Sequence, residues 1–386
     1  MIKNANSLVI LSHIYAPGPP HALWDFLCQN QQLTIEFIGH PLESHRAGES
    51  FYKLSQSGQV SSKTLQRPAK SMPLAYAMDI WLNWLWLWRG PKRDLVIALD
   101  SLNAFSAIWL KRFRRVETVV FYTIDYVPQR FSQSWLNRLY HWLDFFACQH
   151  ADFVWNLSDK MTEARLARGL ASKFKAKQLV VPIGTELGSH DHDVKHQPDL
   201  VVFMGHLRTG QGVDRLIQAW PEINQMIPKA RLRLIGGGSL LTEYQSMVKK
   251  LGLSDRIEFT GFVPTNQEMR RLLAEGSISV APYVDDPENY TRYTDPGKPK
   301  EYLAAGLPVV ITKVPAIAET IQEQHLGLAI EDNLHALAKA IAKLLSDPEL
   351  DSYRARAIAF AQTQTWQLIF SAAFKEMQIK LGPPDA

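Results

Sequence analysis

Short runs of apolar and β-branched residues alternate with amphipathic stretches along the chain. The first half contains six runs of this kind, each of which predicts a strand: LVILSH, LTIEFIGH, DLVIALD, TVVFYTID, DFVWNLS and LVVPIG. Strands that alternate with helical patterns predict a parallel sheet covered by helices on both faces.

The same alternation restarts after a polar segment, Gly184 to Leu200, that has no apolar periodicity and is predicted to be a linker. Six further strands are predicted from LVVFMG, RLRLIGGG, RIEFTGF, SISVAPY, LPVVIT and LGLAIE. The fold class is therefore α/β, with two Rossmann-like domains at residues 1–188 and 189–365 and a C-terminal helix at residues 366–386. Ligands of such sheets bind beyond the carboxyl ends of the strands, so two of these domains facing each other are expected to form a cleft.

Composition favours an ordinary soluble protein, because 46% of the 386 residues are hydrophobic and 21% are charged. Two cysteines, Cys28 and Cys148, form neither a disulfide framework nor a metal knuckle, which favours a reducing compartment. The apolar run in the first fifteen residues is too short for a signal peptide, so we expect a first strand in a cytoplasmic protein.

Basic and aromatic residues cluster in the first half, although the net charge is only +4. The clusters are WRGPKR (Trp88 to Arg93) and WLKRFRR (Trp109 to Arg115), and the first follows MDIWLNWLWLW (Met78 to Trp88). Asp79, Asn83 and the short length argue against a transmembrane helix. Two alternatives stay open: peripheral contact with an anionic membrane surface, or a helix that packs its tryptophans into the core. Nucleic acid is disfavoured, because no binding motif accompanies the basic residues.

Glycine-rich turns end the first two predicted strands of the second half. Gly205 and Gly212 flank a loop that contains His206, Arg208 and Gln211, and a helix pattern follows. Glycines allow a ligand to approach the backbone, and a helix N-terminus favours phosphate. The second turn, Gly236 to Gly238, lacks the dinucleotide fingerprint, so a simple tight turn is the alternative and an NAD-dependent enzyme is disfavoured.

The segment DPGKPKEYLAAGLPVV (Asp295 to Val310) predicts a short helix with Asp295 as its N-cap and Gly306 at its end. Lys298 and Glu301 lie three positions apart on one face of that helix. A carboxylate such as Glu301 can accept both hydroxyls of a ribose, and Lys298 can neutralise a diphosphate. In the alternative, both side chains are solvated and pair with each other.

These segments occur in the order and spacing of the nucleotide-binding domain of family 4 glycosyltransferases, which the chain resembles from about Val201 to Leu345. The motifs are VVFMGHLRTGQGVDRLIQAW, RLRLIGGG, RIEFTGFV, ISVAPY and GKPKEYLAAGLPVV. The resemblance implies the GT-B fold, a nucleotide-sugar donor bound in the cleft, and a C-terminal helix that returns to the first domain.

The resemblance also assigns residues. It implies that Glu301 binds the ribose hydroxyls and that the base packs at Phe262 and Val263. It places the diphosphate at the loop near Gly205 and at Lys298 and the amide groups of residues 296–301, and it makes Gly18 the expected phosphate contact of the first domain. The other predicted donor-binding residues are His206, Arg208, Gln211, Gly237 and Asp295.

The sequence departs from the family pattern at three positions. His206 and Gln211 stand where the family has Arg and Lys, and Tyr293 stands where the family has its first acid. Asp295 is a possible substitute for that acid. Arg208, Arg292 or Lys300 could supply the missing positive charge.

A polar catalytic residue is expected at a strand end of the first domain, where Asp125 is the first candidate and a loop cap is the alternative. Asp100, His13 and His21 are weaker candidates. The segment HDHDVKH (His190 to His196) could suggest a metal site, but its place in the linker favours a solvated segment, and no metal is predicted.

The resemblance thus predicts a retaining glycosyltransferase that uses a UDP- or GDP-linked sugar and needs no further cofactor. The acceptor would be a glycan or a lipid-linked hydroxyl. The alternative is a GT-B protein with weak or no catalysis that binds nucleotide or glycan, or that scaffolds a partner glycosyltransferase.

Overall fold

The computed structural model describes residues 3–14, 17–42, 49–66, 72–187 and 196–382. The chain divides into two compact units. Unit 1 comprises Met1–Pro182 and Trp366–Ala386, and unit 2 comprises Ile183–Thr365.

Among its described residues, the first part of unit 1 contains nine strands and five α-helices. They are β1 (Lys3–Ala5), β2 (Ser7–Ile14), α1 (Pro19–Cys28), β3 (Thr34–Pro41), β4 (Glu49–Gln56), β5 (Gln59–Gln66), α2 (Met72–Trp88), β6 (Arg93–Ala98), α3 (Ser101–Arg112), β7 (Val116–Thr123), α4 (Ser134–His150), β8 (Phe153–Asn156), α5 (Asp159–Ala167) and β9 (Gln178–Val180).

Eight of these strands form one sheet in the order β5-β4-β3-β2-β6-β7-β8-β9. All neighbours are parallel except β3 with β4 and β4 with β5. A core that includes Val96, Phe121 and Cys148 lies between one face of this sheet and the helices α2, α3 and α4. The prediction of six strands in the first half is confirmed, but the sheet is larger than predicted.

The antiparallel hairpin β4–β5 was not predicted from the sequence. Its strands pair Gln56 with Gln59 across a two-residue turn, and both turn residues, Ser57 and Gly58, have positive φ. This is the geometry that favours Gly at a hairpin turn. Every residue of β5 is exposed, so the strand has no apolar alternation from which it could be recognised.

Helix α2 buries its polar residues and exposes two of its tryptophans. Asp79 and Asn83 are each 1% exposed, whereas Trp81 and Trp88 are about half exposed. The alternative in which this helix packs its tryptophans into the core therefore fails for Trp81 and Trp88. No helix within the described ranges is long and apolar enough to cross a membrane.

Outside residues 188–195, which the structure does not describe, unit 2 contains six strands and seven α-helices. They are β10 (Leu200–Met204), α6 (Val213–Met226), β11 (Arg231–Ile235), α7 (Leu241–Lys250), β12 (Ile257–Gly261), α8 (Asn266–Ala274), β13 (Ile278–Ala281), α9 (Gly297–Ala304), β14 (Val309–Thr312), α10 (Ile317–Glu323), β15 (Gly327–Ile330), α11 (Leu334–Leu345) and α12 (Leu350–Thr363).

The second sheet is parallel throughout and has the order β12-β11-β10-β13-β14-β15. This is the doubly wound order of a dinucleotide-binding domain, with the topological switch between β10 and β13. Helices bury apolar residues against both faces, for example Trp220 on one and Tyr302 on the other. All six strands predicted in the second half are confirmed.

The chain then returns to unit 1 with α13 (Trp366–Glu376) and β16 (Ile379–Leu381). Phe370 and Phe374 pack against the rings of Phe26 and Trp155, and β16 pairs in parallel with β1.

A buried ion pair ties α4 and α5 to the sheet of unit 1. The guanidinium of Arg165 donates to both carboxylate oxygens of Asp144 at 2.7 Å and to the hydroxyl of Thr123 at 2.8 Å. Arg165 and Asp144 are almost fully buried. Removing one partner of such a pair leaves an uncompensated charge in the core.

We expect Arg165→Met to lower the free energy of unfolding by about 3–5 kcal/mol, because Asp144 then remains buried without its cation. Urea titration measures this change. Lys313→Met removes one partner of the exposed pair with Glu331 and should cost less than about 1 kcal/mol. Equal effects in the two variants would contradict the role given to burial.

Candidate functional site

Asp295 does not cap α9. The N-cap position is Pro296, and no side chain accepts a hydrogen bond there. Asp295 Oδ2 instead accepts from the Ile183 backbone N–H at 2.8 Å and from Lys300 Nζ at 2.6 Å, and both side chains are buried. The predicted cap is therefore wrong, because the carboxylate turns to an internal ion pair. That engagement argues against Asp295 and Lys300 as donor contacts.

Gly306 ends α9 as predicted, with a φ of 73°. This left-handed conformation favours glycine after a helix.

Lys298 lies over the loop that follows β10. A Cβ added at Gly205 would come within 2.4 Å of Lys298 Nζ, so the amine lies directly against the glycine backbone. Nζ donates to the Gln211 side-chain oxygen and lies 4.8 Å from the centre of the Phe203 ring. No carboxylate in the described part of the chain forms an ion pair with Lys298. The amine is therefore partly buried with a neutral partner.

Burial, together with the nearby positive charge of Arg208, lowers the pKa of Lys298 to about 7. An anion placed beside the amine would raise its pKa and favour the protonated, positively charged form. The arrangement is thus suited to binding a negatively charged group.

Arg208 is exposed and held by Tyr290. Its guanidinium donates to the Tyr290 hydroxyl at 2.8 Å and lies 5.3 Å from the centre of that ring. Because Arg208 also acts on the pKa of Lys298, the two cations belong to one region. Gln211 is buried, whereas His206 is exposed. Arg292, the other suggested replacement cation, pairs with Asp285.

The two glycine turns pack against each other. A Cβ at Gly236 would lie 2.3 Å from the Gly205 carbonyl oxygen, and one at Gly238 would lie 2.3 Å from that of Leu207. The Leu207 N–H donates to the Gly237 carbonyl at 2.9 Å. Close contact between the two loops therefore explains Gly236 and Gly238 without a ligand.

Phe262 is the most exposed large apolar side chain among the described residues, at 80%. It directly follows β12, and its backbone nitrogen lies near Gly237. Val263 is partly buried against the core of unit 2. An exposed ring at a strand end provides a stacking surface for a flat ligand.

Glu301 turns away from Lys298. Its Oε1 accepts from the Thr185 hydroxyl at 3.0 Å, and burial raises its pKa although this hydrogen bond opposes the shift. The alternative in which Glu301 and Lys298 pair is therefore wrong. Thr185 was not predicted as a partner, because 116 residues separate it from Glu301 in the sequence.

In unit 1, the predicted residues lie at several strand ends of the sheet. Asp125 is exposed beyond β7 and pairs with Arg130 at 2.8 Å. Gly18 precedes α1 with an extended backbone and open space where a Cβ would be, so neither strain nor crowding requires glycine there. His21 packs on Phe37. Residues 15 and 16, shortly before Gly18 in the chain, lie outside the described residues.

His13 is the centre of a buried polar cluster. Its ring nitrogens lie 2.9 Å from Asp100 Oδ2 and 3.2 Å from Asp79 Oδ2. Asp79 also lies 3.5 Å from His40, which in turn contacts Asn83 at 3.0 Å. Asp100 caps α3 by accepting from two backbone N–H groups. Asp79 and His40 were missed as members of this cluster.

The two histidines of the cluster differ in protonation at neutral pH: His13 is charged and His40 is neutral. Burial opposes charging of His13, but Asp100 and Asp79 raise its pKa to about 9. Burial lowers the pKa of His40 to about 4, so His40 is neutral at pH 7. His13 therefore serves as a structural cation between two carboxylates.

Residues 190–195 of the HDHDVKH segment lie outside the described ranges, and the His196 ring contacts the Ala274 carbonyl at 2.8 Å. Among the residues that the structure describes, no group of three or more His, Cys, Asp or Glu could hold a metal ion.

Residues 198–347 match the family described as glycosyl transferases group 1. The chain is 26% identical over 216 residues to a GDP-mannose-dependent alpha-(1-6)-phosphatidylinositol monomannoside mannosyltransferase of Mycolicibacterium smegmatis. The match covers 51% of this chain and 54% of the relative, so the chain spans about half the length of that protein. It is also 26% identical over 155 residues to an uncharacterized glycosyltransferase of Methanocaldococcus jannaschii, with 40% and 37% of the two chains covered.

The Anabaena protein Alr3699/HepE, solved in complex with UDP, resembles the whole chain in structure. Its TM-score is 0.68 at 17% identity, with 96% of this chain and 99% of that chain covered. The chain has the GT-B fold. Within that fold, the matched family domain contains β10 to α11 and therefore the loop, the lysine and the exposed phenylalanine described above.

We expect Lys298→Met to raise the free energy of unfolding of the nucleotide-free protein, by about 4 kcal/mol at most near neutral pH. The wild-type lysine, with a pKa lowered from 10.5 to about 7, binds fewer protons when folded than when unfolded. That penalty fades as pH rises from about 7 to 10.5, and the gain in the variant should fade with it.

Lys300→Met, on the same helix, is the matched control. It should lower the free energy of unfolding, because it leaves Asp295 buried without its cation. Urea titrations over this pH range compare the two variants. Destabilisation by Lys298→Met at every pH would contradict the buried-amine interpretation.

For His13 the expected effect of pH has the opposite sign to that for Lys298: the native side chain stabilises the fold at low pH. Because its pKa is raised from 6.5 to about 9, His13 contributes stability that is complete below about pH 6.5 and is lost as pH rises through 9. The wild type should exceed His13→Asn in free energy of unfolding by about 3 kcal/mol more at low pH than above pH 9 or so. A difference between wild type and His13→Asn that stays flat over this pH range would refute the charge state.

Proposed function

We propose that the chain is a retaining family 4 glycosyltransferase that moves a sugar from a nucleotide-diphosphate donor to an acceptor hydroxyl. The observation that carries the proposal is the amine of Lys298, which lies against Gly205 at a strand end with no described carboxylate to neutralise it. The proposed pathway is polysaccharide or glycolipid synthesis.

Lys298 and Arg208 would bind the diphosphate of the donor. The first turn of α9 offers free N–H groups near the same lysine, and these can donate to the phosphate oxygens. When the bond to the sugar breaks, the diphosphate gains negative charge. A lysine whose pKa is near 7 takes up a proton as that charge approaches, so its attraction is strongest when the leaving group forms.

Glu301 would accept the two ribose hydroxyls, and Phe262 would support the base. The Thr185 hydroxyl already donates to one oxygen of Glu301, which orients the carboxylate. Additional hydroxyl donors would favour its ionised form and offset the burial that raises its pKa. In unit 1, Asp125 is the proposed catalytic contact and Gly18 a proposed phosphate contact.

The names of similar proteins suggest the donor and the acceptor. The mycobacterial relative uses GDP-mannose and acts on a phosphatidylinositol monomannoside, whereas the Anabaena protein was solved with UDP and with UDP-glucose. We propose a UDP- or GDP-linked sugar as donor, and a glycan or lipid-linked acceptor reached by peripheral contact with the cytoplasmic face of a membrane.

A second candidate function, binding without sugar transfer, is favoured by one observation. Gln211 and His206 replace two cations of the family pattern, and Gln211 is hydrogen-bonded to Lys298. Each lost charged hydrogen bond could weaken donor binding by about 1.5–3 kcal/mol. A GT-B protein with this deficit could bind nucleotide or glycan, or scaffold a partner glycosyltransferase, without transfer.

Thermal unfolding with UDP, GDP, ADP and CDP tests the donor site. A nucleotide present at about 100 times its dissociation constant should stabilise the wild type by about 2.7 kcal/mol. Glu301→Ala should lose most of this shift, because the ribose hydroxyls lose their acceptor. Glu323→Ala, at an exposed carboxylate of α10, should keep it.

Transfer from the corresponding nucleotide-sugar then separates the two functions. If a nucleotide raises the unfolding temperature, and sugar transfer is observed that disappears in Glu301→Ala, the enzyme is supported. A nucleotide shift without hydrolysis or transfer supports the binding protein. No shift with any nucleotide would contradict both the donor site and the role of Lys298.

A further inference from the structure

The outer faces of α2, α3 and α4 form a surface with exposed aromatic side chains. On α2, Leu74, Trp81 and Trp88 repeat every seven residues and are each about half exposed. On α4, Trp135 and Trp142 repeat at the same spacing and are 57% and 54% exposed. Residues seven apart lie on one side of a helix, so each helix presents a stripe. We name this the aromatic surface of unit 1.

Ring contacts connect the two stripes across α3. Trp88 packs on Phe113 with ring centres 5.6 Å apart, and Phe113 contacts Trp109. Phe105 then contacts both Trp109 and Trp142. The aromatic surface is therefore continuous from α2 to α4. Because the same three helices bury their other faces against the sheet, these rings are not part of the main core.

The charges on this surface have one sign. The only acidic residues in the three helices are Asp79 and Asp144, and both are 1% exposed. Arg112, Arg114 and Arg138 are exposed and form no ion pair with any described residue. A surface with cations and rings but no exposed helical carboxylate is complementary to an anionic and partly apolar partner.

A pocket of about 660 Å³ at the α4 end combines both properties. Trp142, Phe145 and Phe146 line it together with Arg138 and Arg168. An arginine pair beside three rings suits an amphiphile with an anionic head and an apolar chain. This mixed lining matches the anionic headgroup and the apolar chains of a lipid.

We infer that the aromatic surface of unit 1 binds the headgroup region of an anionic lipid bilayer. Tryptophan rings place an apolar body and a polar N–H at the level of the headgroups. Arginines bind lipid phosphates and gain from the negative potential of the leaflet. The inference deepens the proposed function and rests on it for its purpose, since a bilayer bound here supplies a lipid-linked acceptor. The binding itself requires no donor.

Sedimentation of the full chain with phosphatidylcholine vesicles, with and without phosphatidylglycerol, tests the inference. We expect binding only to the vesicles with phosphatidylglycerol, and weaker binding as salt rises. Arg112→Glu/Arg138→Glu should reduce the partition coefficient at least about 25-fold, since one cation near such a surface corresponds to a factor of about five. Trp81→Ser/Trp142→Ser should reduce it by about tenfold or more, because two inserted rings are lost.

Lys249→Glu/Lys250→Glu is the matched control, because it reverses two exposed lysines of unit 2 beside the exposed Leu251. It should bind like the wild type. All variants should keep the wild-type unfolding midpoint and any nucleotide shift, which separates a failure here from a failure of the donor site. Four outcomes would each overturn the inference. The first three are no binding to vesicles, equally good binding to neutral vesicles, and binding to polyglutamate in place of vesicles. The fourth is a loss of binding in the control equal to that in the test variants.

Discussion

The candidate site of unit 2 depends on one close contact, between the backbone of Gly205 and the side chain of Lys298. No other residue could stand at position 205 without displacing the amine, and the same glycine carbonyl lies against Gly236. Three segments, the ends of β10 and β11 and the start of α9, therefore meet with almost no side-chain volume between them. This lack of volume places the Lys298 amine directly against the backbone at a sheet edge.

Buried charge is used in two different ways. Arg165 pairs with Asp144, Lys300 pairs with Asp295, and His13 lies between Asp79 and Asp100, so these charges are compensated. Lys298 instead has an amide as its partner, and burial lowers its pKa, so the protonated amine is disfavoured in the unliganded protein. Functional sites often retain a destabilised group of this kind, and an uncompensated buried cation distinguishes a binding residue from a structural one.

Much of the fold could be predicted from the sequence, because apolar runs mark the strands of a parallel sheet independently of their partners. The exposed strand β5 has no such run and was missed. Lys298 and Glu301 were found from their helix, but the direction of each side chain depends on distant residues, Gln211 and Thr185. Asp295 shows the same limit: local spacing favoured a cap, whereas the buried amine of Lys300 attracted the carboxylate. The clustering of His13, His40 and Asp79 follows from strand order, which no local pattern contains.

The path of the chain has a consequence for biosynthesis. Unit 1 includes α13 and β16, which follow all of unit 2 in the sequence. During translation, the residues of unit 2 are made before α13 and β16 of unit 1, so Phe26 and Trp155 lack their partners Phe370 and Phe374 until those later residues are made. Although domains usually complete their folding in order from the N-terminus, here the second unit can finish first. The apolar surface that α13 covers is thus exposed on the nascent chain for as long as unit 2 takes to be made.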